Sequence, residues 1–180
     1  MNITTNAILY KRLNQRLHLQ DAQALARENT ERAHLRKLTT LLHSEEKRVA
    51  DNAAWILTFV SRDKEKQKAL VPYLQELAEL SMQTENDSMQ RMLLTILHDM
   101  PATKATVNTA FLNFCLDKSS APTTPTGIRI LCIKLAYRHC ALYPELLSEL
   151  VTILQFMDRE MLSPGVACVR RKILNKHNIT

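Results

Sequence analysis

Apolar residues return along this chain in a single helical phase. The quartets Val49, Asn52, Ala53, Ile56; Met89, Met92, Leu93, Ile96; Ile128, Leu131, Cys132, Leu135; and Val166, Val169, Arg170, Ile173 each occupy positions i, i+3, i+4 and i+7. That spacing is one stripe of an α-helix. Successive quartets begin 40, 39 and 38 residues apart, the interval expected of stacked helix-pair repeats. A helix pair cannot bury its stripe alone, so neighbours must stack and share a core. Alternation with a period of two never lasts beyond a few residues, which excludes a sheet.

The pattern predicts an all-α chain, a short right-handed α-solenoid of about three helix pairs with capping helices. A compact helical bundle is the alternative. One domain, 1–180, divides into N-terminal capping helices over 1–43, helix pairs over 44–82, 86–118 and 125–160, and a C-terminal capping helix over 163–176. Leu9, Leu13 and Leu17 suggest a first basic helix, Asp21–Glu28 a short second one, and Thr30 a cap for Glu31–His43. Ser44 is expected to cap a helix reaching Val60. Pro72 falls inside the next helical stretch and predicts either a late start near Leu70 or a kink. Asp87–Met100 and Thr103–Asp117, the latter with Val107, Phe111 and Phe114 inward, form the second pair. Thr124 before Pro125, and Ser163 before Pro164, read as caps followed by a proline in the first turn. Pro125–Leu142 and Pro144–Met157 form the third pair, and Pro164–Lys176 closes the array.

Composition narrows the chemistry. Only two glycines occur, Gly127 and Gly165, too few for a dinucleotide fingerprint, a phosphate loop or a set of tight hairpins. The chain starts without the basic-then-apolar layout of a secretory signal, and no apolar run approaches the roughly 20 residues of a membrane span. Cys115, Cys132, Cys140 and Cys168 show no Cys-x-x-Cys spacing. They read as reduced thiols, three of them on apolar helix faces, in a cytoplasmic protein. The net charge of +6 is uneven: +4 over residues 1–48, −3 over 49–100, +4 over 101–142 and +1 over 143–180.

The register, together with Asn52-Ala-Ala-Trp-Ile-Leu57, Arg91-Met-Leu-Leu-Thr-Ile-Leu97, Ile128-Arg-Ile-Leu-Cys-Ile-Lys-Leu-Ala136 and Arg170-Arg-Lys-Ile-Leu174, resembles the HEAT and armadillo-like helical repeats. The likeness covers about residues 44–176. The runs Arg129–Tyr137, Tyr143–Leu147 and Leu162–Gly165 are also similar to small bacterial α-helical proteins of this type. The resemblance implies right-handed stacking of helix pairs and a surface that binds proteins or nucleic acid. Some folds of this superfamily are alkylpurine DNA glycosylases. Such an enzyme would need a carboxylate and aromatics beside a basic groove, and Asp51, Asp99 and Trp55 are the pieces present. Their spacing demands no such arrangement.

No catalytic or metal-binding constellation stands out. There is no His-Glu-x-x-His, no nucleophile elbow and no acidic calcium loop. His139 and Cys140 are adjacent, so on a helix they point about 100° apart and read as a packed pair rather than ligands. No cofactor is implied. The candidate contact residues come from the register itself. Lys134 and Arg138 stand at i, i+4 in one first helix, and Lys172 and Lys176 take the same places in the next. Stacked in phase, these four form a cationic ridge, with Arg129 and Arg171 on neighbouring columns and Trp55 on the adjoining one. The ridge suits an acidic protein surface or phosphates. A non-enzymatic protein-binding scaffold is the leading expectation, and a nucleic-acid-binding protein the alternative.

Overall fold

A computed structural model describes residues 3–28, 32–101 and 108–178, the side chains of residues 3–6 excepted. Among the described residues there is no strand. The helices are α1 (Ile3–Leu13), α2 (Leu19–Glu28), α3 (Arg32–Leu41), α4 (Lys47–Arg62), α5 (Lys64–Leu70), α6 (Leu74–Gln83), α7 (Asp87–Asp99), α8 (Thr109–Ser120), α9 (Thr126–Cys140), α10 (Pro144–Gln155) and α11 (Pro164–Lys176). The expected cap Thr30 and, with Val107, the start of the helix placed at Thr103 lie outside the described residues.

Two compact units result, Met1–Leu77 and Ala78–Thr180. In the first, α4 is the hub and packs against α1, α2, α3 and α5. Its stripe, Val49, Ala53, Ile56 and Val60, is fully buried, as are Leu13, Leu25, Leu35 and Leu38 from the surrounding helices. In the second, α9 is the hub and packs against α7, α8, α10 and α11. Cys132, Ile133 and Ala136 are fully buried on α9 and make a broad apolar face towards its neighbours. Positions i, i+4 and i+7 of all four quartets are buried, so the helical phase read from the sequence holds.

Local chemistry sets the helix starts, and it corrects several expected boundaries. Asn86 accepts from the backbone N–H of Ser88 and Met89, opening α7. Asp63 opens α5 by accepting from Glu65. Asn108, in extended conformation, accepts from the backbone N–H of Ala110 and Phe111, so α8 opens at Thr109. The predicted cap Ser44 instead accepts from Glu46 within a turn, and α4 starts three residues later at Lys47. Pro125, not Thr124, holds the cap position of α9. Ser163 does hold that of α11, but its hydroxyl makes no capping bond. At Pro72 the expected kink appears: α5 ends at Leu70, a single 3-10 turn spans Val71–Tyr73, and α6 follows.

Helix ends are closed in a different way. The last carbonyls of a helix have no partner within it, and a glycine in the left-handed conformation commonly satisfies them. Neither glycine here has a positive φ, and among the described residues only Asn178, just past α11, does. Side chains from other helices take over. Asn52 of α4 donates to Leu13 O and Gln15 O at the end of α1 (2.8 and 3.1 Å). Gln90 of α7 donates to Ser81 O (2.9 Å) and reaches Thr84 O (3.5 Å) at the end of α6. Arg129 of α9 donates to Ser119 O (2.8 Å) and Ser120 O (3.5 Å) at the end of α8. Arg138 of α9 donates to His98 O and Met100 O at the end of α7. Arg170 of α11 donates to Leu154 O (2.5 Å) and Gln155 O (3.1 Å) at the end of α10.

Replacing Arg129 with Met keeps the buried stem and strands Ser119 O. Arg129 is only 6% exposed, so water does not easily replace the lost donor. The urea midpoint is expected to fall by the equivalent of about 1–3 kcal/mol, against less than about 0.5 kcal/mol for Arg171→Met on the surface. Equal shifts for the two would refute the capping role.

His139 adds a pH dependence. It is buried edge-on to Phe111 (6.3 Å between centroids), with Nδ1 unpartnered among the described residues. Burial and then Arg138 hold its pKa below the ordinary 6.5. The unfolded chain therefore takes up this proton at higher pH than the folded one. Its stabilising contribution is complete above the unfolded value and is lost as pH falls through it towards the lowered folded value. Urea midpoints should drop from about pH 7 to about pH 5, and the drop should be shallower in His139→Gln. An unchanged slope in that variant would show that another group is responsible.

Candidate functional site

The predicted cations divide into two groups once their surroundings are known. α9 and α11 pack against each other; Lys134 and Arg138 stand on the first of these helices, and Lys172 and Lys176 on the second. Lys172 and Lys176 are exposed and Lys134 is half-buried. The Lys176 ammonium lies 5.5 Å from the centroid of the Tyr137 ring, and His177 meets that ring edge-on at 5.9 Å. A cation held over an aromatic face is favoured electrostatically, so Lys176, though exposed, rests across the α9–α11 seam.

Arg138 stands apart from these lysines. Both its terminal nitrogens are engaged by the carbonyls that close α7, and burial lowers its pKa, with Asp99 acting against the shift. His98, half-buried beside it, is held below its usual value by burial, then by Arg138 and Lys134. Lys134 is thus close enough to the end of α7 to add to the same positive field. Arg129 is buried beneath the surface with its Nε and Nη2 committed to Ser119 and Ser120. Arg171 is exposed and makes no ion pair among the described residues. Lys172, Lys176 and Arg171 are exposed on the second unit and Lys134 is half-buried, while Arg129 and Arg138 face inward to carbonyls.

Trp55 belongs to the first unit, on α4. It is half-buried, with its ring 6.1 Å from that of Phe59 one turn on. The Arg62 guanidinium sits 5.5 Å from the Phe59 centroid. The three side chains make a short aromatic and cationic row along one helix face.

Cys115, Cys132 and Cys140 are buried free thiols. A hydrogen bond to Cys132, then burial, pushes the Cys115 thiol well up, and burial raises that of Cys140 to about 11. Neither is a thiolate near neutral pH, as a nucleophile would need to be. Among the described residues no three His, Cys, Asp or Glu side chains gather as metal ligands, and no helix is long and apolar enough to cross a membrane.

Sequence reasoning missed Arg159 and the inward turn of Arg170. Arg170 did leave a trace, as the one charged residue in four otherwise uncharged quartets. A cation on a buried stripe signals acceptors nearby. Comparison with curated proteins finds no match. The profile of the HEAT repeat domain matches residues 9–177, nearly the whole chain and all four quartets. The chain belongs to the HEAT repeat domain family.

Proposed function

We propose that this protein is a non-enzymatic scaffold whose helical repeats bind another protein, with the basic side of α9 and α11 as part of the contact. The observation that carries the reading is the family match over residues 9–177, since such repeats present helix faces along a shared core and bind through them. The exposed cations add a preference for an acidic surface. Lys134, Lys172, Lys176 and Arg171 draw a negatively charged partner and raise its rate of encounter.

A nucleic-acid contact would use the same cations, and the inward-facing arginines weigh against it. Of the six cations first placed on or beside the ridge, Arg129 and Arg138 have their donors engaged by helix ends. Each cation withheld from a phosphate lowers the salt dependence of binding by about one unit of slope.

Affinity capture on the immobilised full chain, with and without nuclease, tests the proposal. Proteins retained equally after nuclease treatment are expected. Replacing Lys134, Lys172 and Lys176 together by Glu should weaken that retention about 5- to 100-fold and flatten its salt dependence. Retention that disappears with nuclease would reject protein binding in favour of nucleic acid.

A further inference from the structure

On the outer side of α11 a cavity of about 460 Å³ falls within the roughly 300–1,000 Å³ range of ligand sites. Its floor is apolar, formed by Leu162, Pro164, Ala167 and Leu174, and Arg159, Arg170 and Arg171 line it without any carboxylate. Arg159 and Arg171 are exposed and make no ion pair among the described residues. Arg170 donates through Nε and Nη2 to the end of α10 and has no partner for Nη1 among those residues. Its charge lies close enough to Arg159 for the like charge to add to the lowering that burial causes. Arg170 is compensated in part by the α10 carbonyls, whereas Arg159 and Arg171 bring two outward guanidinium groups to one cavity lining, and an anion there relieves their repulsion.

The loop between α10 and α11 adds a second kind of contact. Phe156 is 85% exposed and Met161 is 69% exposed, large apolar side chains of the same loop that carries Arg159 and Leu162. Exposed residues of this type beside arginines are favoured anchors at protein interfaces. No aromatic side chain lines the cavity itself, so a base seated in it would have no ring to stack on. Its aliphatic floor gains nothing from a sugar-phosphate chain.

Building on the scaffold reading, we propose that this cavity docks an acidic segment of the partner protein. That segment offers carboxylates to Arg159 and Arg171 and inserts an aliphatic side chain between Leu162 and Leu174. Guanidinium groups suit carboxylates because their planar donors pair bidentately. Arg170, fixed by the α10 carbonyls, holds the inner wall, and its Nη1 is the donor left for the ligand.

Cys168 provides a built-in reporter. It lines the cavity and is half-buried, whereas the other three thiols are buried. Random short peptides displayed on phage are selected on the full chain, and the best-enriched peptide is synthesised with a fluorescein label. The expected sequences combine Asp or Glu with Leu, Ile or Met. Fluorescence polarisation should show at least about 10-fold weaker binding to Arg159→Glu, Arg171→Glu. Bound peptide should slow alkylation of Cys168 by iodoacetamide. Both substitutions are on the surface, and an unchanged urea midpoint confirms that the variant folds.

Three results would overturn the assignment: enriched peptides without acidic residues, undiminished binding to the double variant, or an unaltered alkylation rate. Displacement of the peptide by single-stranded oligonucleotide at equal potency would also overturn it, transferring the cavity to phosphate. The two proposals fail separately. Protein capture that is lost with nuclease sinks the scaffold reading. Capture that persists through Arg159→Glu, Arg171→Glu sinks the cavity alone.

Discussion

Every α-helix ends in carbonyl oxygens that its own backbone cannot satisfy, and this chain has almost no glycine with which to turn them inward. That shortage governs how its helices meet. Asn52, Gln90, Arg129, Arg138 and Arg170 each reach from one helix to the terminus of another within the same unit. The donors stand at the negative end of the helix dipole, where a guanidinium is favoured twice, by charge and by hydrogen bonding. A charge-assisted bond of this kind contributes about 1.5–3 kcal/mol, comparable with burying one leucine side chain. The core supplies far more in total. Apolar contact, however, tolerates sliding, while donors aimed at two carbonyls of one helix end do not. The caps therefore define where along its neighbour each helix stops.

This division explains what was legible in the sequence. The apolar stripe is periodic, so Val49, Met89, Ile128 and Val166 announce both the helices and their inward faces. Pro72 announces its kink because a missing N–H and a ring clash act locally. Helix starts are partly local as well: Asn86 and Asp63 cap the residues just after them. They mislead where several candidates crowd together, as when Ser44 turns inward to Glu46 and leaves α4 to begin at Lys47. The cross-helix caps have no such signature. Arg129 meets a carbonyl ten residues away and Arg138 one forty residues away, separations that no local pattern encodes.

Local and distant chemistry likewise separate what could and could not be read of the candidate site. Register placed Lys134, Arg138, Lys172 and Lys176 in matching columns, and the packing of α9 on α11 brings the two helices together. Register says nothing of whether a cation faces water or a helix end. Arg138 and Lys134 stand one turn apart on α9, yet the planar donors of Arg138 fit two carbonyls, while Lys134 carries a single rotating ammonium. Arginine and lysine part company here because of head-group geometry rather than charge.

Net charge therefore overstates what a partner meets. Of the chain's +6, a share resides on arginines whose fields are absorbed by the dipoles of the helices they close. What remains outward in the second unit falls in two different settings. Lys134 stands on α9 and Lys172 and Lys176 on α11, with Lys176 held over Tyr137 of α9. Arg159 and Arg171 border an apolar floor. Lysines held near a seam attract charge at a distance and discriminate little, since a hydrated ammonium accepts many geometries. Arginines set beside leucine and proline demand charge and shape together, because an anion without an apolar companion leaves the floor uncovered. On the proposed reading, recognition divides between a long-range field and a short-range fit. The helix-end arginines serve both only indirectly, by holding α9, α10 and α11 in the arrangement that keeps the two settings distinct.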